Sequence, residues 1–397
     1  MHLPEWTTAF AILILVTTHV DGQDLPFRAE EIDRSLKVGY AVKLVDMNAD
    51  SRLDILVVDS TRVIWFENPN WKLHTIIANE TKPDNVCASA QDIDGDGKLD
   101  LALGADWRPM DTKTGGTIQW LQDQSNGNAA WRVFPIDEEP TVHRMQWADL
   151  DGDGQRQLIV VPLMGRNSQA PDWNAAGVRI LSFSIPEKPT KNRWRKEVLN
   201  QELHVIHGFE VTDFNGDRVD DLLLASFEGV HALSMSKNGY RLEHIGSGNQ
   251  QSSPNRGASE VKLGCLAGKR RYVATIEPWH GNQVVVYHPG EKGKLWQRTV
   301  LDESLKWGHA VWCANLDGDE DQELVIGVRD NLDGKNLSGV RIYDWRGEGE
   351  WRRQLLQPGQ VAVEDLAVAD LNRDGKDDIV AVGRASHNVV IYWNDRE

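Results

Sequence analysis

Six short stretches of this chain crowd side-chain oxygens at one fixed spacing, a pattern that suits a hard cation. They are DMNADSRLD from Asp46, DIDGDGKLD from Asp92, DLDGDGQRQ from Asp149, DFNGDRVDD from Asp213, NLDGDEDQE from Asn315 and DLNRDGKDD from Asp370. Positions 1, 3, 5 and 9 carry the oxygens, and position 7 can add a backbone carbonyl. Ca²⁺ takes six to eight oxygen ligands, and a tight Gly-containing loop can wrap several carboxylates round it. The complete sets are Asp46/Asn48/Asp50/Asp54, Asp92/Asp94/Asp96/Asp100, Asp213/Asn215/Asp217/Asp221 and Asp370/Asn372/Asp374/Asp378. Two are weaker: Asp149/Asp151/Asp153 meets Gln157, and Asn315/Asp317/Asp319 meets Glu323. An EF-hand would end in Glu at position 12, whereas here an acid at position 9 runs into an apolar stretch. Plain Asp/Asn/Gly turns need no ion, but three or four carboxylates in one loop repel strongly without one. Structural Ca²⁺ is the expectation, bracing these turns.

Six residues before four of the loops stand His143, His207, His309 and Glu364. Three imidazoles and a carboxylate suit Zn²⁺ or another divalent transition metal, with room left for water or a substrate oxygen. Two other readings stay open: a metal-free catalytic or binding cluster, and histidines that merely line a wet channel.

The elements that would bring these residues together follow from the repeat. An acid-free copy of the unit, LGCLAGKRR from Leu263, keeps the register, so seven units start 46 to 64 residues apart. Each reads as four strands, since runs of β-branched and aromatic residues are bounded by Gly, Asp and Asn. One strand precedes the loop, an apolar run such as LALG or LIVV follows it, and a third and a fourth strand complete the unit. The fourth opens on Trp71, Trp131, Trp194, Tyr240, Trp296 or Trp351. Seven four-stranded units predict an all-β fold, a seven-bladed β-propeller over residues 23–397. Only six fourth strands follow the inner strands, so the last blade should borrow Phe27–Arg34, closing the ring and removing a sheet edge. At matched offsets the ring would then carry Tyr40, Val86, His143, His207, Gly257, His309 and Glu364 round one end of the channel.

Loops between second and third strands open at that same end. They bring Trp107, Arg108, Arg166, Trp173, Arg329 and Asp330; blade 5 adds Trp279 and His280, and blade 7 adds Arg384 and His387. With Trp307, the loop indoles could stack on sugars or simply pack the rim.

Composition narrows the partners. With 60 acidic against 43 basic residues the formal charge is −17, which argues against nucleic acid or an anionic membrane surface. The apolar run Ala9–Val16 is signal-peptide-sized and too short to span a bilayer, so residues 1–22 read as a cleaved export signal. A secreted or periplasmic protein, with no membrane insertion after cleavage, is expected. Cys87, Cys265 and Cys313 make no disulfide framework and read as small apolar residues.

The loops and blade pattern resemble the FG-GAP/VCBS repeats of integrin α-subunit heads and many secreted bacterial propellers. A narrower resemblance rests on His143–Asp149 (HRMQWAD), Glu277–Gly281 (EPWHG) and Trp307–Asp319 (WGHAVWCANLDGD). These are similar to stretches of the propeller domain of aldos-2-ulose dehydratase-type enzymes, which eliminate water from keto-sugars. The resemblance implies a channel metal and a carbohydrate-derived substrate. The sequence stops after blade 7 without that family's cupin domains, so no subsequent isomerisation is expected. Dehydration beside a carbonyl needs an electrophile, a base for the α-proton and an acid for the leaving hydroxyl. His143, His207, His309 and Glu364 would hold the electrophile, His280 or His387 would be the base, and Arg144, Arg166, Arg329 and Arg384 would hold hydroxyls or a carboxylate. The competing expectation is a non-catalytic propeller that binds a glycan or a protein through the same face. Neither a serine-nucleophile elbow, nor a P-loop, nor a dinucleotide fingerprint is visible.

Overall fold

A computed structural model describes residues 24–124, 131–329 and 338–397. The segment expected to be an export signal, residues 1–22, and most of the loop around Asp330 lie outside the described residues. Seven antiparallel sheets of four strands each form the ring predicted from the repeat. In every blade the second strand is buried along its whole length or nearly so, as in Asp54–Asp59, Asp100–Ala105, Asp221–Ser226 and Asp378–Gly383. Both faces of such a strand are covered, one by each neighbouring blade. That explains why these segments are unbroken apolar runs and not alternating ones. The fourth strands, such as Arg195–Asn200, are mostly exposed.

The core is divided among the blade boundaries. One apolar cluster joins blades 1 and 2 through Leu56, Val58, Leu101 and Leu103. Another joins blades 7 and 1 through Val42, Ile55, Val380 and Trp393, and each boundary between is filled the same way. At roughly 1.5–3 kcal/mol for each fully buried Leu, Ile or Val, the ring is held chiefly by apolar side chains packed across adjacent blades.

Closure is as expected. Phe27–Asp33 pairs antiparallel with Val389–Asn394, from Phe27 opposite Asn394 to Asp33 opposite Val389. Trp393 Nε1 donates to Glu30 at 2.7 Å and Asn388 Nδ2 to Glu31 at 2.8 Å, pinning the borrowed strand. The acid-free unit of blade 5 turns through a short 3-10 segment, Ala267–Lys269, with Gly268 at φ 72°, which a glycine adopts without steric cost. Cys87 is buried and Cys313 half-buried, and burial pushes each thiol up to about 12, the inert behaviour expected of structural cysteines. Among the described residues no helix is long and apolar enough to cross a membrane.

Candidate metal centre in the central channel

The inner strands do not begin smoothly. In four blades the strand register shifts by one residue at its start, across Gly39/Ala41, Val142/Arg144, Gly308/Ala310 and Val363/Asp365. The extra residues are Tyr40, His143, His309 and Glu364. A bulge of this kind re-aims one side chain out of the alternation of its strand, and here it turns four of them into the channel. Together with Val86 and His207 they line a cavity of about 320 Å³. Blade 5 has Gly257 at the matched offset and fills the gap from its second-to-third-strand loop with His280.

His207, His280 and His309 offer ring nitrogens that all lie within 4.8 Å of one another. His207 is the hub, with ring centroids 4.4 Å from His280, 4.9 Å from His309 and 4.6 Å from His143. Outer partners fix the tautomers. His207 Nδ1 donates to Glu260 Oε1 at 2.7 Å, and His309 Nδ1 donates to the Glu364 carbonyl at 2.6 Å. Each therefore keeps an Nε2 lone pair for the cavity, the arrangement that outer-shell oxygens impose on metal-binding imidazoles. His207 Nε2 and His280 Nε2 stand 2.7 Å apart. Burial holds His143, His207, His280 and His309 well below the ordinary imidazole range, with Arg144, Arg329 and the neighbouring imidazoles adding to it. Neutral imidazoles are the form that binds metal. The donor set fits a divalent transition metal with an open position.

The structure brings part of the expected set together. His207 and His309 belong to the cluster, and His280, expected as a base, joins them. His143 donates Nδ1–H to the His207 carbonyl at 3.0 Å, while its Nε2 faces Arg144 Nη1 at 3.4 Å. That guanidinium occupies the direction a metal would need. Glu364 Oε1 is 3.8 Å from His309 Nε2 and accepts from Arg384 at 2.8 Å, with Arg329 3.6 Å from Oε2. Oε2 itself accepts no hydrogen bond and is buried. Burial raises this carboxyl, and Arg384, Arg329 and Arg144 pull the other way.

Of the remaining expected residues, Arg329 and Arg384 line the cavity and Arg144 forms its floor. Arg144 is committed to Glu260, at 3.3 Å. Arg166 pairs with Glu139 away from the cavity. His387 sits outside the cavity lining, bonded through Nδ1 to the Lys37 carbonyl at 2.9 Å. The residue missing from the sequence reading is Glu260. It lies three residues before the acid-free turn, at the offset that holds Lys43, Gln146 and Glu210 in blades 1, 3 and 4. A second ring read three positions deeper would have found it.

The loop indoles build the wall. Trp279 stacks on His280 at 4.6 Å, Trp307 lies 5.1 Å from the same ring, and Trp107 lies 5.1 Å from His143. Trp173 and Trp279 are buried in an apolar cluster with Met164 and Phe227, so they pack, while Trp307 stays 37% exposed under the guanidinium of Arg329. His280 and Trp307 hold left-handed backbones, φ 50° and 55°. Such conformations cost of order 1–3 kcal/mol each and concentrate where a site is pre-organised.

At the opposite end of the strands, carboxylate oxygens of Asp92/Asp94/Asp96, Asp149/Asp151/Asp153 and Asp317/Asp319/Glu323 gather within 4.8 Å. Two of these three depart from the full spacing, and of the four complete sets the Asp92 loop alone gathers three carboxylates among the described residues. The acids of the loops from Asp46, Asp213 and Asp370 do not come as close. Asn48, Asn215 and Asn372 place a neutral amide at position 3 there. Each amide oxygen accepts from the backbone N–H two residues on, that of Asp50 at 3.1 Å, Asp217 at 2.8 Å and Asp374 at 3.0 Å. The carboxylates of Asp50, Asp217 and Asp374 accept in turn from the N–H groups of Arg52, Val219 and Lys376, at 2.8, 2.9 and 3.0 Å. These six residues, expected as calcium ligands, also close Asx-type turns. The Asp92 loop makes the same turn bonds, Asp96 N–H to Asp94 at 3.2 Å and Lys98 N–H to Asp96 at 2.9 Å, so the difference lies in the missing charge at position 3.

Position 9 has a second duty that spacing alone does not reveal. Asp54, Asp100, Asp221, Glu323 and Asp378 are essentially unexposed and accept from the backbone N–H at position 2, for example Met47 at 2.9 Å and Leu371 at 3.1 Å. Burial, with the neighbouring carboxylates, raises Asp100 and Asp378 to about 6 and Glu323 to about 8. A bound cation would reverse that crowding.

Comparison with known proteins bears on the repeat and the fold. The model of the aldos-2-ulose dehydratase β-propeller domain matches residues 115–289. FG-GAP-like repeats match 46–103 and 315–381. The aldos-2-ulose dehydratase of Phanerodontia chrysosporium is 23% identical across 93% of this chain, which spans 42% of that protein. Among solved structures, the extracellular domain of a one-component system from B. thetaiotaomicron aligns with a TM-score of 0.55 at 13% identity, over 92% of this chain and 39% of that one. BBS1N, crystallised with ARL6DN and soaked with lead, aligns at 0.56 and 15%, over 94% and 97%. At these identities the solved structures establish the propeller fold alone.

Proposed function

We propose that this chain is a secreted, calcium-braced propeller whose channel mouth holds a divalent transition metal and dehydrates a keto-sugar. The observation that carries the reading is the convergence of His207, His280 and His309 in a tryptophan-walled cavity, with His207 and His309 tied at Nδ1. Its match to a dehydratase propeller supplies the reaction class. When bound, the metal would supply Lewis acidity to the substrate carbonyl oxygen.

The chain's own residues perform the proton chemistry. Glu364 is the base in place of His280 and His387, because its Oε2 is buried, free of hydrogen bonds and beside the imidazoles. It removes the proton α to the carbonyl. The C–H electron pair becomes the new C=C bond as the β-hydroxyl departs, and Glu364 returns the same proton to that oxygen, so water leaves and the carboxylate is restored. Arg384 and Arg329 oppose the rise that burial imposes on this carboxyl, and Arg384 aims it at the cavity. Trp307 offers a partly open indole face to the sugar ring. Calcium in the loops from Asp92, Asp149 and Asn315, where the carboxylates crowd most closely, braces the far ends of the inner strands.

The test follows the absorbance of the conjugated enone formed from an aldos-2-ulose. Glu364→Gln and His207→Ala should each abolish it while circular dichroism stays native; turnover retained in both rejects the assignment. A binding propeller without catalysis would instead carry only calcium after mild chelation, whereas the proposed enzyme retains one transition metal per chain.

A further inference from the structure

The acid-free turn of blade 5 borders a second cavity, of about 680 Å³, at the end of the ring opposite the histidines. Where six other blades carry carboxylates, this one presents Lys269 and Arg270, both exposed, beside Trp345 and Trp351 of blade 6, with Gln297 and Thr299 along one edge. Among the described residues no acidic side chain lines it. The two indoles meet edge-on at 5.3 Å, and Tyr272 packs against Trp351 at 5.4 Å, which fixes the ring planes. Arg270 reaches over Trp345 at 5.9 Å, its Nε donating to the Ala267 carbonyl at 3.1 Å. Arg271 behind them is spent on the blade 4 loop, donating to the Phe214 carbonyl at 2.6 Å.

In a chain of formal charge −17, a carboxylate-free cluster of cations is a local sink for anions. Indole faces pair with the C–H faces of a flat apolar or sugar ring, and amide and hydroxyl edges suit ring hydroxyls. The volume lies within the roughly 300–1,000 Å³ range of small-molecule pockets. We propose that this cleft between blades 5 and 6 is a separate binding site for an acidic sugar of the uronic-acid class: carboxylate on Lys269 and Arg270, ring on the tryptophans. It does not depend on the metal-centre reading.

The experiment is isothermal titration of the full calcium-loaded chain with D-glucuronate, D-glucose and inorganic sulfate at low salt. Glucuronate should bind at least about tenfold more tightly than either comparator, since only it uses both the charged and the stacking contacts. The double variant Lys269→Glu/Arg270→Glu should lose that tenfold preference, while His207→Ala keeps it. Equal binding of glucose removes the anion contact, equal binding of sulfate removes the sugar contact, and loss in His207→Ala moves the sugar to the channel; each overturns the assignment. Both exchanged side chains are exposed, so the double variant is expected to fold, and unfolding temperature confirms it.

Discussion

Replacing Glu260 by Gln isolates the one contact that would hold His207 as a ligand of the proposed metal. The carboxylate accepts from His207 Nδ1 at 2.7 Å and from Arg144 at 3.3 Å, with its own side chain only 14% exposed. Glutamine keeps an acceptor oxygen and the volume, but it removes the negative charge that strengthens the imidazole as a donor. Loss of an outer-shell partner of this kind typically weakens metal affinity about 10–100-fold, or ~1.4–2.7 kcal/mol. The upper half of that range is expected, because the site is closed and the lost charge also leaves Arg144 uncompensated beside a bound cation. Zn²⁺ affinity is measured by competition with a chromophoric chelator in excess Ca²⁺, with unfolding temperature of the metal-free protein as the control. A folded Glu260→Gln variant that binds Zn²⁺ as tightly as the parent refutes the argument.

Three further outcomes separate the parts of the site and the ring. His280→Ala should lose the transition metal, by about tenfold or more in affinity, whereas His143→Ala should retain it, because Arg144 already faces the His143 Nε2; metal content after mild chelation decides between them. Asp302 accepts from Ser304, Tyr343 and Arg353, and although burial alone would raise it, these bonds hold its carboxyl well below the usual range. A lowered pKa gives stability that is present above about 3.9 and lost as pH falls further, so Asp302→Asn should cost about 1.5–3 kcal/mol at pH 7 and much less near pH 2, as read by urea unfolding at both. Chelating calcium should lower the unfolding temperature, and Asp94→Ala should shrink that effect while leaving the Ca²⁺-free protein as stable or more so, since one of three crowded carboxylates is gone; calorimetry with and without EDTA tests it.

How much was legible follows from which periodicity each residue obeys. Matched offsets from the acidic loops correctly placed Tyr40, Val86, His143, His207, His309 and Glu364 round one cavity. Offsets do not tell which of several converging nitrogens face one another. His280 enters from a loop in a left-handed conformation, and Arg144, next in chain to His143, turns that ring's second nitrogen toward a guanidinium. Those are pairwise contacts between blades 3, 4 and 5, set by side-chain packing. Spacing likewise treats Asn and Asp at position 3 as equal oxygen donors, yet only the charged version draws three carboxylates together in one of the fully spaced loops.

The amino-acid sequence alone determined the seven-fold repeat, the closing strand and the placement of acids at the inner-strand turns. Each of those is written in residues close together in the chain and repeated until the pattern is unmistakable. Tertiary structure decided the arrangement at the channel mouth: the bulges that turn Tyr40, His143, His309 and Glu364 inward, the approach of His280 to His207 and His309, and the contact from Glu260. The physical reason is distance along the chain. His207 and Glu260 are 53 residues apart, and only the packing of blade 5 against blade 4 turns that separation into a hydrogen bond.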